Sequence, residues 1–197
     1  AHLLSADKEA ENLARILLEK YPLNPYLYDL WASTEWLLIG RELNLKADEQ
    51  KDIGEINGYK ERAQRYRTMI DKGLALTENT NDPEILFFRV ALMFDHAKFS
   101  ARYESRVSGL KKADQEATEG IRIIKKILTT KLDFCPVYLF LGGNRFQLAN
   151  KTNSWSIQRL FVRNFSSVYK ELYSIDSDVF NEGKSIEWLE KSHTCGY

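Results

Sequence analysis

The chain has 197 residues, 44% hydrophobic and 28% charged, which is enough for one sizeable core in a single domain or a short solenoid. Its 28 Lys and Arg residues equal its 28 Asp and Glu residues, so the formal net charge is zero. A zero net charge disfavours recruitment by nucleic acid or by an anionic membrane surface. No apolar run approaches the roughly 20 residues that a membrane-spanning helix needs, so the chain is expected to be soluble.

The sequence begins with Ala1 and His2 rather than with Met, which predicts that a preceding segment has been removed. A cytoplasmic protein and an exported protein that has lost its leader both fit this sequence. The compartment and the oligomeric state therefore stay open.

The first sixty residues predict a helical hairpin followed by a loop. Residues 6–21 place apolar side chains on one face with the spacing of an amphipathic helix. Pro25 marks the start of a second helix, because proline is tolerated in a first helical turn and disfavours helix in the residue before it. Asn24 is the expected cap of that helix. The polar stretch 40–58 is predicted to be a helix tail and a loop.

Two further hairpins repeat this order. Apolar periodicity predicts four helices in this part of the chain: 59–74, 85–101, about 110–128 and 137–150. Pro83 and Pro136 stand at the breaks, and the aromatic-rich helices that follow them are apolar on most sides, as expected of helices buried between neighbours. Gly142 and Gly143 inside the last of these helices predict the close approach of another helix, because adjacent glycines weaken an isolated helix.

The last quarter of the chain predicts one long helix over 157–173 and a short one over 179–190. The total is about eight helices with no convincing strand, which is an all-α fold. A single domain over 1–197 is predicted, built from four hairpins with approximate bounds 6–43, 58–101, 108–150 and 154–192.

The layout resembles tetratricopeptide-like helical repeats, in a divergent form. The residues that carry the resemblance are the three prolines and the small residues that follow them in the next helix: Pro25, Pro83 and Pro136, then Leu30-Trp31-Ala32, Phe88 to Ala91, and Leu141-Gly142-Gly143. The stretch from Tyr21 to Pro25 also resembles the family's turn between repeats. The resemblance covers about 150 residues and implies antiparallel hairpins stacked as a right-handed superhelix.

The spacing of the prolines departs from that family, since they lie 58 and 53 residues apart and the family repeat has about 34 residues. Long helices or insertions such as 40–58 would account for the difference. An antiparallel helical bundle of another kind is the alternative fold.

The resemblance implies that a protein or peptide partner binds on the concave face, which the first helix of each hairpin forms. Polar and aromatic residues of the helices after the prolines are the candidate partner-binding residues: Tyr28, Glu35, Arg89, His96, Asn144 and Arg145. The family's Lys and Asn clamp for a terminal carboxylate does not occur at matching places. Recognition of a C-terminal carboxylate is therefore not expected.

No catalytic, metal-binding or cofactor-binding residues are predicted. The three histidines, His2, His96 and His193, occur without a zinc-protease, nucleophile-elbow, phosphate-loop or dinucleotide motif. Asp95 and His96 are adjacent, and adjacent residues on a helix point about 100° apart, which disfavours a shared acid/base role. Cys135 and Cys195 are too few for a disulfide framework and are expected to be unrelated thiols, although whether they pair stays open.

These observations predict a non-catalytic scaffold for protein–protein interaction or assembly. The first alternative is a helical small-molecule binder with a pocket lined by some of the 24 aromatic residues. A further alternative is an enzyme, which would require acidic residues such as Glu35, Asp95 and Glu119 to converge in one cleft. Basic clusters on the helices at 59–74 and 110–128 are interleaved with acids, which favours a solvated face over an acidic-peptide site.

Overall fold

The computed structural model describes residues 2–45, 51–131, 133–151, 167–175 and 182–195. These residues form eight α-helices, one short 3-10 turn at Ile53–Glu55 and no strand, which confirms the predicted all-α fold. The helices have the following bounds: α1 His2–Lys20, α2 Pro25–Glu42, α3 Lys60–Leu76, α4 Pro83–Tyr103, α5 Arg106–Thr130, α6 Cys135–Lys151, α7 Ser167–Ile175 and α8 Glu182–Thr194. Most of the predicted helix 157–173 and part of the hairpin 154–192 lie outside the described residues.

Helices α2 and α4 each begin at a proline that follows a capping side chain. Asn24 accepts a hydrogen bond from the Tyr26 amide at 3.0 Å, and Asp82 accepts one from the Glu84 amide at 2.8 Å. Each cap precedes a proline in the first turn, where the missing amide hydrogen costs nothing. The predicted start of α2 at Pro25 and its cap are confirmed.

Part of the segment between α2 and α3 packs against the rest of the unit, although its composition is polar. Helix α2 continues to Glu42 and ends before Asn44, which has a φ of 51°. Ile53 is fully buried in the 3-10 turn that the Asp52 side chain caps. The Lys51 amide donates to the Arg102 carbonyl at 2.8 Å, so part of this loop is fixed against the end of α4.

Residues Ala1–Gly120 and Ile121–Tyr197 form two compact units, and the division lies within α5. The prediction of a single domain over 1–197 is not tested by this division and stays a prediction. None of the helices in the described ranges combines the length and the apolarity that crossing a lipid bilayer requires.

In the first unit, neighbouring helices along the chain run antiparallel. The Trp31 indole donates to Glu11 at 3.1 Å, while Arg41 pairs with Asp7, so α2 returns along α1. On the other side of α2, Trp31 lies against Tyr66 of α3, with ring centroids 5.8 Å apart. Helices α1 and α2 therefore form an antiparallel hairpin.

Helices α2 and α4 instead run parallel to each other. The Tyr26 and Phe88 rings are 5.5 Å apart. About two turns further along both helices, the Ser33 hydroxyl donates to Asp95 at 2.6 Å. Both contacts join a residue of α2 to the residue 62 positions later. The two helices that follow Pro25 and Pro83 are thus direct neighbours.

The core of the first unit is an aromatic cluster. The Tyr66 and Phe99 rings stack at 4.0 Å, and Tyr103 packs edge-on against Phe99 at 5.3 Å. All three are fully buried, and Trp31 is 2% exposed. Burying each of these side chains contributes about 2–3 kcal/mol. Gly73 of α3 allows the close approach of α2 and α4, because a Cβ there would lie 2.8 Å from the Tyr28 side chain.

In the second unit, α6 and α8 form an antiparallel pair. A Cβ at Gly142 would lie 2.8 Å from the Leu189 side chain, and the Tyr138 and Trp188 rings are 5.5 Å apart. The close approach predicted at both glycines holds at Gly142 alone. A Cβ at Gly143 would meet no described atom within 4 Å, because that residue lies on another side of α6.

Candidate functional site

Two of the six predicted partner-binding residues use their polar groups inside the first unit. Tyr28 is 7% exposed, and its hydroxyl donates to the Pro22 carbonyl at 2.9 Å. Glu35 is 1% exposed, and its two carboxylate oxygens accept from the Arg62 guanidinium at 2.5 and 3.0 Å. These contacts fasten the turn after α1 and the packing of α2 on α3.

The Glu35 carboxylate belongs to a charge cluster between α2 and α3, and the Arg65 guanidinium lies a further 3.7 Å from it. Arg62 also pairs with Glu42, which accepts from the Tyr59 hydroxyl at 3.2 Å and lies 3.7 Å from the Lys8 ammonium. Burial opposes the charge on Arg62, but the hydrogen bonds and charges of Glu35 and then of Glu42 raise the pKa of its guanidinium above its usual range. Such bidentate pairing is what allows a buried carboxylate to stay ionised. We call Glu35, Glu42, Tyr59 and Arg62 the Glu35 cluster.

Arg89 and His96 also make contacts within the first unit. Arg89 donates to the Leu74 carbonyl at 3.0 Å and lies 3.4 Å from the Thr77 hydroxyl, so it caps the C-terminus of α3. His96 is 5% exposed, with Nδ1 2.8 Å from Glu116 and Nε2 3.1 Å from the Lys112 ammonium. An ammonium group only donates, so Nε2 accepts and the Nδ1 hydrogen points to Glu116. His96 thereby links α4 to α5.

The side chains of Asn144 and Arg145 lie outside the described part of the structure, although α6 includes both residues. A partner-binding role for the six residues stays a prediction. Of the acidic residues that an enzyme would bring together, Glu35 is bonded to Arg62, Asp95 contacts other groups described next, and Glu119 is exposed on α5.

A second group of charged residues lies where α2 meets α4. Asp29 lies beside Asp95, and the Asp95 charge is one cause of the raised pKa of Asp29. Asp95 accepts from the Ser33 hydroxyl at 2.6 Å and from the Lys98 ammonium at 3.0 Å. Two neighbouring carboxyl groups disfavour each other's ionised form. We call Asp29, Ser33, Asp95 and Lys98 the Asp29 cluster.

The environment of this cluster changes its titration. Burial, followed by the negative charge of Asp95, raises the pKa of Asp29 to about 7, against the opposing effect of Lys98. Tyr66 lies beneath the pair and donates to the Asp95 backbone carbonyl at 3.1 Å. Burial and then the charges of Asp95, Asp29 and Glu35 raise the pKa of Tyr66 well above its ordinary value. Asp29 can therefore take up or release a proton close to neutral pH.

The Asp29 cluster reaches the surface between two exposed apolar side chains of α2. Tyr26 is 47% exposed and Leu37 is 41% exposed, and with Ser33 they follow one stripe of the helix. On the neighbouring helix α4, Lys98 is 53% exposed and Ala91 is partly exposed. We call this surface the α2/α4 face, and it has these members: Tyr26, Asp29, Ser33 and Leu37 from α2, and Phe88, Ala91, Asp95 and Lys98 from α4.

The residues of the α2/α4 face can bind a positively charged group. The exposed Lys98 ammonium contacts Asp95 at 3.0 Å and acts on Asp29 through its charge, and a further cation beside Asp29 would favour its ionised form. Within the described residues, no group of three or more His, Cys, Asp or Glu side chains is arranged to hold a metal ion. The face therefore combines carboxyl groups with exposed apolar side chains.

Sequence reasoning identified Asp95 but missed Asp29, Ser33 and Lys98. Aligning the prolines pairs residues 58 apart, whereas the contacts between α2 and α4 join residues 62 apart. That shift of about one helical turn is set by how the side chains interdigitate. A search for Asp, Ser and Lys at shifted registers of the two proline-led helices would have found the cluster.

Comparison with protein-family models, with curated proteins and with solved structures finds no match to this chain. The tetratricopeptide-like resemblance, the superhelical stacking and the function remain predictions.

Proposed function

We propose that the chain is a non-catalytic protein-interaction module of the tetratricopeptide-like kind, which binds a basic peptide segment of a protein partner on the α2/α4 face. In that family the proline-led helices of successive hairpins lie side by side and line the binding surface. The parallel packing of α2 and α4 through Tyr26 with Phe88 and Ser33 with Asp95 supports this assignment.

The Asp29 cluster is the observation that carries the proposal. Burial and then the charge of Asp95 raise the pKa of Asp29 to about 7, against the opposing charge of Lys98. A Lys or Arg side chain of the partner supplies a further positive charge, and the Asp29 proton leaves as that side chain docks. Charge complementarity of this kind fixes the register of a bound segment as well as its affinity.

The apolar ends of the face supply the remaining contacts. Tyr26 packs edge-on against Phe88 at 5.5 Å and keeps 47% of its surface exposed. An aromatic ring held at one edge and open on a face is a common anchor in peptide recognition. Leu37, two turns beyond the Asp29 cluster, offers a second apolar contact. The expected ligand is therefore a basic side chain flanked by apolar ones.

Binding of short synthetic peptides tests this proposal. The basic peptide carries Lys or Arg between apolar residues, and the matched peptide has Glu at the basic positions. Fluorescence anisotropy is expected to show that the basic peptide binds at least tenfold more tightly than the acidic one. Asp29→Asn and Tyr26→Ala are each expected to weaken binding about fivefold to tenfold.

Glu19→Gln is the matched control, because Glu19 is an exposed carboxylate of α1 that pairs with Arg15. It replaces a carboxylate by an amide away from the face and should leave binding unchanged. Equal binding of both peptides, or equal losses in Asp29→Asn and Glu19→Gln, would contradict the proposal. A small-molecule pocket, the alternative from the sequence, stays a prediction.

A further inference from the structure

The two cysteines lie at the same end of the antiparallel α6 and α8 pair. Cys135 is the first residue of α6 and is 7% exposed, whereas Cys195 directly follows α8 and is partly exposed. The Cys135 thiol donates to the Asp133 carbonyl at 3.2 Å, and Cys135 is the main cause of a raised pKa at the Cys195 thiol. The two residues are 60 positions apart in the chain.

The packing of the two helices independently brings these residues together. Gly142 faces Leu189, and one turn earlier on α6 the Tyr138 ring lies 4.1 Å from the Lys191 ammonium. In an antiparallel pair, each step back along α6 matches a step forward along α8. The next turn of α6 begins at Cys135, and the corresponding residue after Lys191 is Cys195. The register of the whole pair therefore places one thiol opposite the other.

We propose that Cys135 and Cys195 are the site of an intramolecular disulfide, which forms by exchange with a low-molecular-weight disulfide such as oxidised glutathione. The Cys195 thiolate attacks one sulfur of the small disulfide, and the first small thiolate leaves. The Cys135 thiolate then attacks the Cys195 sulfur, and the second small thiolate leaves. The protein loses two electrons and two protons, and the small disulfide becomes two thiols.

Exposure decides which cysteine reacts first. Cys195 is partly open to solvent, while Cys135 is buried and is placed to attack in the second step. The interaction with the Cys135 side chain, followed by burial, raises the pKa of Cys195. Because the thiolate is the attacking species, the first step is expected to speed up as the pH rises from 7 to 9.

The disulfide would join the start of α6 to the end of α8 and so close the second unit on itself. A cross-link between such distant positions constrains the unfolded chain strongly and is expected to raise the melting temperature by about 10 °C. The bond requires little movement of the helices, because the register of α6 and α8 already places the two cysteines opposite each other.

The test incubates the full chain at low concentration with oxidised glutathione at pH 8. Both free thiols are expected to disappear, and a non-reducing tryptic digest should contain one peptide that joins Cys135 to Cys195. Dithiothreitol should restore both thiols and the lower melting temperature. Retention of both thiols, a disulfide between two chains, or glutathione left on Cys195 would each overturn the proposal.

Single variants separate the two steps. Cys135→Ser removes the second attacking thiol, so Cys195 should keep glutathione as a stable adduct. Cys195→Ser removes the first attacking thiol. The buried Cys135 should then react with oxidised glutathione more than tenfold more slowly than Cys195 does in wild type. If Cys135→Ser does not fold, the rate of thiol loss in Cys195→Ser decides. A rate equal to that of wild type would contradict the assigned order of attack.

Discussion

Helix α2 carries two carboxyl groups, Glu35 and Asp29, that the fold treats in opposite ways. Glu35 faces α3 and receives two hydrogen bonds from Arg62, so its negative charge is neutralised inside the unit. Asp29 faces α4, where burial and then the charge of Asp95 raise its pKa to about 7. Two carboxyl groups of one helix thus lie in different environments, since Glu35 is paired with a guanidinium and Asp29 lies beside another carboxyl group.

The largest effect is expected from breaking the Glu35 cluster. Glu35→Ala leaves Arg62 in a half-buried site with Glu42 as its remaining carboxylate partner. Removing one partner of a buried ion pair costs about 3–5 kcal/mol, because the other charge stays desolvated. Urea unfolding followed by circular dichroism measures this loss. A loss below about 1 kcal/mol, which is typical of the exposed pair that Glu19→Gln removes, would show that the Glu35 cluster is not structural.

Removing the Asp29 carboxyl group is expected to change the free energy of unfolding in the opposite direction, towards higher stability. Asp29 titrates near about 3.9 in the unfolded chain and near about 7 in the fold. Between these pH values the folded state keeps a proton that the unfolded state has lost, so the stability of wild type falls as the pH rises from about 4 to about 7. Asn at position 29 can donate to Asp95 without titrating.

Asp29→Asn should therefore be about 2 kcal/mol more stable than wild type at pH 8 and nearly equal to it at pH 4. Urea unfolding at several pH values measures the difference. The same loss of stability at both pH values would indicate that Asp29 is an ordinary ionised carboxylate.

Tyr66 lies between the two clusters and provides a sharper comparison. Tyr66→Phe keeps the ring stacked on Phe99 but removes the hydrogen bond to the Asp95 carbonyl. Loss of one buried hydrogen bond costs about 1–2 kcal/mol. The pH dependence of unfolding should keep its shape, because the Asp29 and Asp95 carboxyl groups remain neighbours. If the pH dependence of unfolding became flat in this variant, the titration would depend on the Tyr66 hydrogen bond rather than on Asp29, which would contradict the account.

The smallest effect is expected for Lys98, whose side chain is 53% exposed. Its charge opposes the rise in the pKa of Asp29, so Lys98→Met should raise that pKa further. At pH 8 the variant should lose about 0.5 kcal/mol relative to wild type, and at pH 4 it should lose less. Glu84→Gln, a change on an exposed residue of the same helix, is the control and should be neutral at both pH values.

The features that the sequence predicts correctly depend on neighbours along the chain. Asn24 and Pro25 specify a helix start through bonds within three residues, and the apolar periodicity of α1 specifies its buried side. The contacts of Gly142, Gly143 and Asp29 depend on how two helices are shifted and rotated against each other. One helical turn of shift replaces every contact, and the proline spacing does not contain that information.

The same limit applies to charge. His96 is bonded to Lys112 and Glu116, and Asp29 lies beside Asp95. Nothing in the local sequence separates these residues from solvated ones, because the partners come from other helices. Only packing determines which carboxylates are neutralised by a cation and which are left with a proton.

Titration of the Asp29 carboxyl group by carbon-detected NMR, without and with the basic peptide, tests the central claim most directly. The account predicts that Asp29 titrates near pH 7 in the free protein, and that the bound peptide lowers its pKa by about one unit or more because a cation beside Asp29 favours its ionised form. An ordinary Asp29 pKa near about 4 in the free protein, or a pKa that the bound peptide leaves unchanged, would contradict it.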